Sequence, residues 1–165
     1  MTNKEILKRV EELKKEMDSI ILKLNESESK NWIPEEGDNY WYLSDDGVIL
    51  NDVWQVDRET DHYRWVFGNC FPSEDAAHFA SNRQLLIVDL ERFAKEHNEK
   101  DIDWDNLDSS VYSLFFVHTM KEIGIASSTY SQIPLQVYFT SREVAESAIE
   151  TFGKDRLKEY LFNVK

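Results

Sequence analysis

Glycine, proline and cysteine are all scarce in this chain: five, three and one among 165 residues. Each scarcity excludes something. Cys70 is the single cysteine, so no intrachain disulfide can form, as suits a reducing cytosol. Five glycines leave little for a phosphate-cradling loop, and neither a Walker sequence nor a Gly-rich dinucleotide fingerprint is present. The Gly-x-Ser-x-Gly elbow of a serine hydrolase is also missing. No run of about 18 apolar residues occurs, so no transmembrane helix is expected. The first residues, Met-Thr-Asn-Lys-Glu, continue charged and lack the apolar stretch of a signal peptide, which leads to an expected location in the cytoplasm.

Metal and nucleophile chemistry also lack their parts. His62, His78, His97 and His118 are widely spaced, and none pairs with another His or with Cys70 at ligand spacing. Asp101, Asp103 and Asp105 have the alternating spacing that opens a calcium loop, but Asn106 and Tyr112 stand where that loop needs Gly and Glu. Cys70 reads as a small residue at a strand end rather than a nucleophile. Glu35/Glu36 and Glu74/Asp75 read as surface charge rather than acid–base pairs. No catalytic residue, metal or cofactor is assigned, and enzymatic activity is not expected.

What the chain has in excess is negative charge. The formal net charge is −13. Residues 1–30 and residues 112–165 are each neutral, whereas residues 31–111 hold six Lys/Arg against nineteen Asp/Glu. Such a field repels nucleic acid and lipid head groups and attracts basic surfaces. Solubility alone is the plainer explanation of the same acidity. Trp41, Trp54, Tyr63 and Trp65 could stack on bases, but a basic groove is lacking, so they are expected in the core.

Three segments are expected: a coiled-coil-like helix at 1–25, a polar linker at 26–31, and an acidic α+β domain at 32–165. Ile6, Val10, Leu13, Met17, Ile20 and Leu24 are spaced 4, 3, 4, 3 and 4, an apolar heptad seam over about three heptads. A helix this short needs something to pack on. Self-association is expected, giving a homo-oligomer; docking onto the chain's own domain is the alternative. Within the domain, Asp45-Asp46-Gly47 between Tyr40–Leu43 and Val48–Leu50 signals a hairpin. Further strands are expected at Tyr63–Phe67, Val111–Val117 and Leu135–Phe139. Ser73 caps a long helix from Glu74 to His97. Gly124–Ser131 reads as a turn or loop. Thr140 and Glu143 fit a capping box, Gly153 ends the helix that follows, and Arg156–Leu161 makes a last short one. The fold class is therefore α+β, with small antiparallel sheets packed with a long helix and a C-terminal helix. One internal echo stands out: Phe71-Pro72-Ser73 and Phe139-Thr140-Ser141 both pass from a strand end into a capped helix, as shared capping chemistry alone would produce; an old duplication is the alternative.

Trp32-Ile33-Pro34 with Gly37, Tyr40-Trp41-Tyr42, Gly47-Val48, Trp54, Arg64 and Gly68-Asn69-Cys70-Phe71 resemble a recurrent phage and prophage protein of Gram-positive bacteria. Tyr138-Phe139-Thr140-Ser141, Glu143, Ala145, Ala148-Ile149, Gly153 and Leu157 are similar to the same group's C-terminal end. The likeness covers about 32–97 and 138–164. It implies an origin and a bacterial host cell, and brings no catalytic residues.

These features favour a non-enzymatic accessory protein that binds and inhibits a host protein with a basic surface. A nucleic-acid-acting defence component is the expected class of target, in an anti-defence or anti-CRISPR role. The binding residues expected are Asp45, Asp46, Asp57, Glu59 and Asp61, with Asp101, Asp103, Asp105 and Asp108 as a second cluster, all acting as phosphate mimics on loops. Direct nucleic-acid and membrane contacts are not expected. The alternative is a small-ligand-binding or sponge protein with an aromatic-lined pocket. An enzyme using acidic residues and a metal ranks below both.

Overall fold

The aromatic run Tyr40-Trp41-Tyr42, the apolar run Val48–Leu50 and the Asp-Gly turn between them close the first sheet. In the computed structural model, which describes residues 9–10, 12–17, 32–105, 110–129 and 132–164, strand β1 (Asn39–Leu43) pairs antiparallel with β2 (Ile49–Val53). Gly47 takes φ +80° in the turn, a conformation glycine adopts without the strain a Cβ brings. The other edge of β1 is occupied too. Trp41 and Phe71 exchange backbone hydrogen bonds of 2.9 and 2.8 Å. The Asn69 side chain gives and takes 2.8 Å bonds with the Leu43 backbone, imitating a strand neighbour.

Residues 59–66 form helix α1 (Glu59–Val66), not the strand expected over Tyr63–Phe67. Aromatic and β-branched residues suggest a strand here, but the residues that turn inward, Asp61, Arg64 and Trp65, follow helical spacing. Helix α2 (Glu74–His97) starts at Ser73, whose hydroxyl accepts from the Ala76 N–H at 3.2 Å. Its most deeply buried apolar residues toward the C-terminal end are Leu86, Leu90, Phe93 and Ala94, while the neighbouring Leu85 is exposed.

The second sheet is a hairpin of β3 (Val111–Val117) and β4 (Glu122–Ser128). The turn expected over Gly124–Ser131 is thus mostly strand. Gly124 is a mid-strand residue opposite Phe115, and a Cβ placed on it would lie 2.5 Å from the Phe115 ring. It makes room for an aromatic rather than breaking the strand. Leu135–Phe139 is not a strand. Only Phe139 pairs, exchanging 2.8 Å bonds with Tyr112, while Leu135 has φ +63° and is fully exposed. Helix α3 (Arg142–Phe152) is capped by Ser141, which accepts from the Val144 N–H at 3.2 Å, so the cap is Ser141 and not Thr140. Gly153, at φ +79°, ends α3 as expected. A short α4 (Lys154–Arg156) then passes into a π-helical turn over Leu157–Leu161.

The fold is α+β, with two two-stranded antiparallel sheets, a long helix and C-terminal helices. Contacts divide it into two compact units, Met1–His78 and Phe79–Lys165. The first has a core of Tyr40, Trp54 and Cys70, with Trp32, Tyr42 and Trp65 around it. The second is larger, joining Leu86, Leu90 and Phe93 of α2 to Leu114, Phe139, Ala145, Ala148 and Leu157.

Each unit contains the same local arrangement. A Phe bridges the outer edge of the hairpin's first strand, a Ser two residues on caps a helix, and an Ala four residues after the Ser is fully buried. The residues are Phe71, Ser73 and Ala77 in one unit, and Phe139, Ser141 and Ala145 in the other. The echo therefore extends to strand pairing, which capping chemistry does not require.

Candidate functional site

Asp61 was expected on an exposed loop. It is instead 0% exposed, on the inward face of α1. A buried carboxylate needs compensation, and four groups supply it. The Tyr40 hydroxyl donates to it at 2.8 Å and the Gln55 backbone N–H at 2.9 Å. Arg58 and Arg64 lie 3.4 and 3.6 Å away. Both arginines also reach Asp52, at 2.8 and 3.3 Å. Arg64 donates to the Tyr40 hydroxyl oxygen as well, and its guanidinium sits 3.4 Å from the centroid of the Tyr42 ring.

This network shifts its titratable neighbours. Burial pushes the Tyr40 hydroxyl up to about 12, with the Arg64 hydrogen bond pulling the other way. Burial likewise pushes the Cys70 thiol up to about 12. Both therefore hold their protons near neutral pH, and neither is poised as a base or nucleophile. Burial alone would raise Asp52, but hydrogen bonds from Arg58 and the Val53 backbone, with the charge of Arg58, hold it below the usual carboxylate range. Among the described residues every buried side-chain nitrogen and oxygen has a partner. The arrangement is a saturated polar clamp, joining α1 to both strands of the first hairpin.

Its consequence lies on the surface. Arg58 and Arg64 are the only Lys/Arg between Trp32 and His78, against eleven Asp/Glu, a net of −9. Both are taken up by Asp52 and Asp61. The nine other carboxylates of this stretch have no Lys or Arg within it to neutralise them. Asp45 and Asp46 are exposed in the hairpin turn, where the Ser44 hydroxyl and the Val48 backbone hold Asp46 low. Asp57 and Glu59 are exposed at the start of α1. The first pair lies in the turn that closes the hairpin and the second follows the end of β2, with the five-residue strands, about 17 Å long, running between turn and open end. Near Asp57 the structure adds Glu36, whose carboxylate accepts from the Val56 N–H at 2.6 Å, and the exposed Glu35. Reading residues along the chain missed this grouping, because it depends on residues 35–38 folding back onto Trp54: Gly37 N–H to Trp54 O is 3.0 Å.

Asp101, Asp103 and Asp105 are exposed and belong to the second unit; Asp108 lies outside the described residues. Asp101 and Asp103 border a cleft of about 350 Å³ shared with Glu99, Lys100, Thr140 and Ser141, where Tyr112 is the aromatic wall. Among the described residues no three His, Cys, Asp or Glu side chains converge to hold a metal ion. No described helix is long and apolar enough to cross a membrane.

Of the expected heptad seam, Val10, Leu13 and Met17 lie on helical residues and are about half exposed. Ile6, Ile20, Leu24 and the 26–31 linker lie outside the described residues.

Three comparisons bear on what the chain is similar to: no family model matches it, and no curated protein and no solved structure matches it.

Proposed function

We propose that the chain is a non-enzymatic phage or prophage accessory protein. It binds and inhibits a host protein through an acidic, phosphate-mimicking surface on the first unit. The target class is a nucleic-acid-acting defence component, with a basic groove built to hold phosphates. One observation carries this reading: the two arginines between Trp32 and His78 are both turned onto Asp52 and Asp61. The remaining carboxylates, among them Asp45, Asp46, Asp57 and Glu59, are left to face solvent as an uncompensated field. Such a field speeds encounter with a basic partner and makes it sensitive to salt. Self-association through Val10, Leu13 and Met17 would multiply the surface.

The aromatic-lined ligand pocket has less behind it. Trp54 and Tyr40 are packed into the core, and the cleft of the second unit is lined mainly by polar side chains.

The test is affinity capture from infected or lysogenic cells, then kinetics on the purified target. The native chain and a variant with Asp45, Asp46, Asp57 and Glu59 changed to Asn or Gln are compared over a salt series. Slower association in the variant, and competition with DNA or RNA for the target, are expected. Association that ignores both neutralisation and salt would refute the acidic mechanism.

A further inference from the structure

Helix α1 has two faces. Asp61, Arg64 and Trp65 point inward and complete the clamp. On the opposite side Tyr63, Val66 and the capping residue Phe67 form an i, i+3, i+4 stripe, and they are 51%, 59% and 80% exposed. Three large side chains together on the water side of an eight-residue helix contribute little to folding, and contiguous exposed apolar groups of this kind mark interaction surfaces. The stripe is rimmed by acid. Glu59 opens the helix and accepts from the Tyr63 hydroxyl at 2.9 Å, and Asp57 lies two residues before it. The helix is also what sets the two units apart. Between hairpin and bridging Phe, the first unit inserts α1, whereas the second has no helix among its described residues at that place.

We propose that the outer face of α1 is the docking site for a basic amphipathic helix of a partner protein. The partner's apolar side seats on Tyr63, Val66 and Phe67, while its Lys/Arg face Asp57 and Glu59. This rests on the acidic-surface reading and gives it a place. Charge selects the occupant: a second copy would bring another field of −9 against the first. Aromatic anchors at the centre with charge at the rim is the arrangement of a binding hot spot.

The experiment is amide chemical-shift mapping on the full-length chain with three synthetic peptides of about 18 residues, long enough to form a helix. One is a Leu/Lys amphipathic sequence, one its Leu/Glu counterpart, one all Lys. The Leu/Lys peptide is expected to shift the amides of Glu59–Phe67, and the Leu/Glu peptide to leave them unmoved. Phe67→Ser is expected to weaken the Leu/Lys peptide about 10-fold with unchanged signal dispersion, because the side chain is exposed. Equal affinity in Phe67→Ser would overturn the proposal. If the Leu/Lys and all-Lys peptides both perturb only the loops at Asp45, Asp46 and Asp57, the docking face fails while the acidic reading survives. If neither basic peptide binds, the acidic reading fails and this inference with it. Concentration-dependent shifts along α1 without peptide would identify a second copy as the occupant and overturn it too.

Discussion

Cys70 and Tyr40 hold their protons well above the ordinary range, and that sets how the first unit responds to alkali. The unfolded chain releases the Cys70 proton near 9.0, whereas the native protein keeps it to about 12. Between these values the native state binds more protons, so stability falls as pH rises from about 9. Tyr40 adds to the loss from 10.0 upward. Asp52 works at the other end: its depressed native value means that its contribution is full above 3.8 and is lost as pH falls further. Urea midpoints across pH should show a plateau with declines on both sides. Cys70→Ala should delay the alkaline decline toward 10; an unchanged onset at 9 would mean that the thiol is not the cause. Asp61→Ala should cost about 3 kcal/mol in the same assay, because it leaves the Tyr40 hydroxyl proton and the Gln55 N–H without an acceptor and leaves two arginines to share Asp52 alone. A cost below about 1 kcal/mol would mean that water replaces the carboxylate. None of this was legible along the chain. Asp61 sits among acidic neighbours that are exposed, and only the helical turn from Asp61 to Arg64 and Trp65 separates it from them.

Local signals with one dominant cause were readable at the level of elements. The Asp-Gly turn, the Ser73 cap, the long helix to His97 and the Gly153 stop each follow from residues adjacent in sequence. Elements decided by packing were not. The aromatic run of α1 resembles a strand until its inward face is known, and β4 was obscured by a glycine that packing requires. Gly124→Val tests the second case. Its side chain would push the Phe115 ring, which is 41% exposed, aside into solvent, at a cost of about 1 kcal/mol, visible as a lower melting temperature. Gly124→Val with Phe115→Ala should recover part of that loss, and a double variant no better than the single would place the strain elsewhere.

At the scale of the molecule, the chain contains two units built on one local plan, of which the first carries −9 of the −13 charge. The net charge was legible by counting; its concentration on one unit's surface was not, because that depends on which carboxylates the arginines take. The heptad seam was legible as a pattern, and its assembly is open to test. Light scattering should find the native chain larger than a monomer and Met17→Asp reduced toward one, since a charge in the seam opposes helix pairing. A native monomer would rule out self-pairing. The inward arginines have one more effect. The stretch from Trp32 to His78 cannot neutralise itself by moving a surface side chain, because its two arginines are held by Tyr40, Asp52 and Asp61. Its countercharge must come from outside that stretch, dissolved ions included. Dissolved cations then act as a missing structural component, and mutual repulsion of the carboxylates eases as ions screen them. The melting temperature should therefore climb as sodium chloride rises from about 10 to 150 mM, the span over which the Debye length shrinks from about 30 to 8 Å. Most of that climb should vanish when Asp45, Asp46, Asp57 and Glu59 are replaced by their amides.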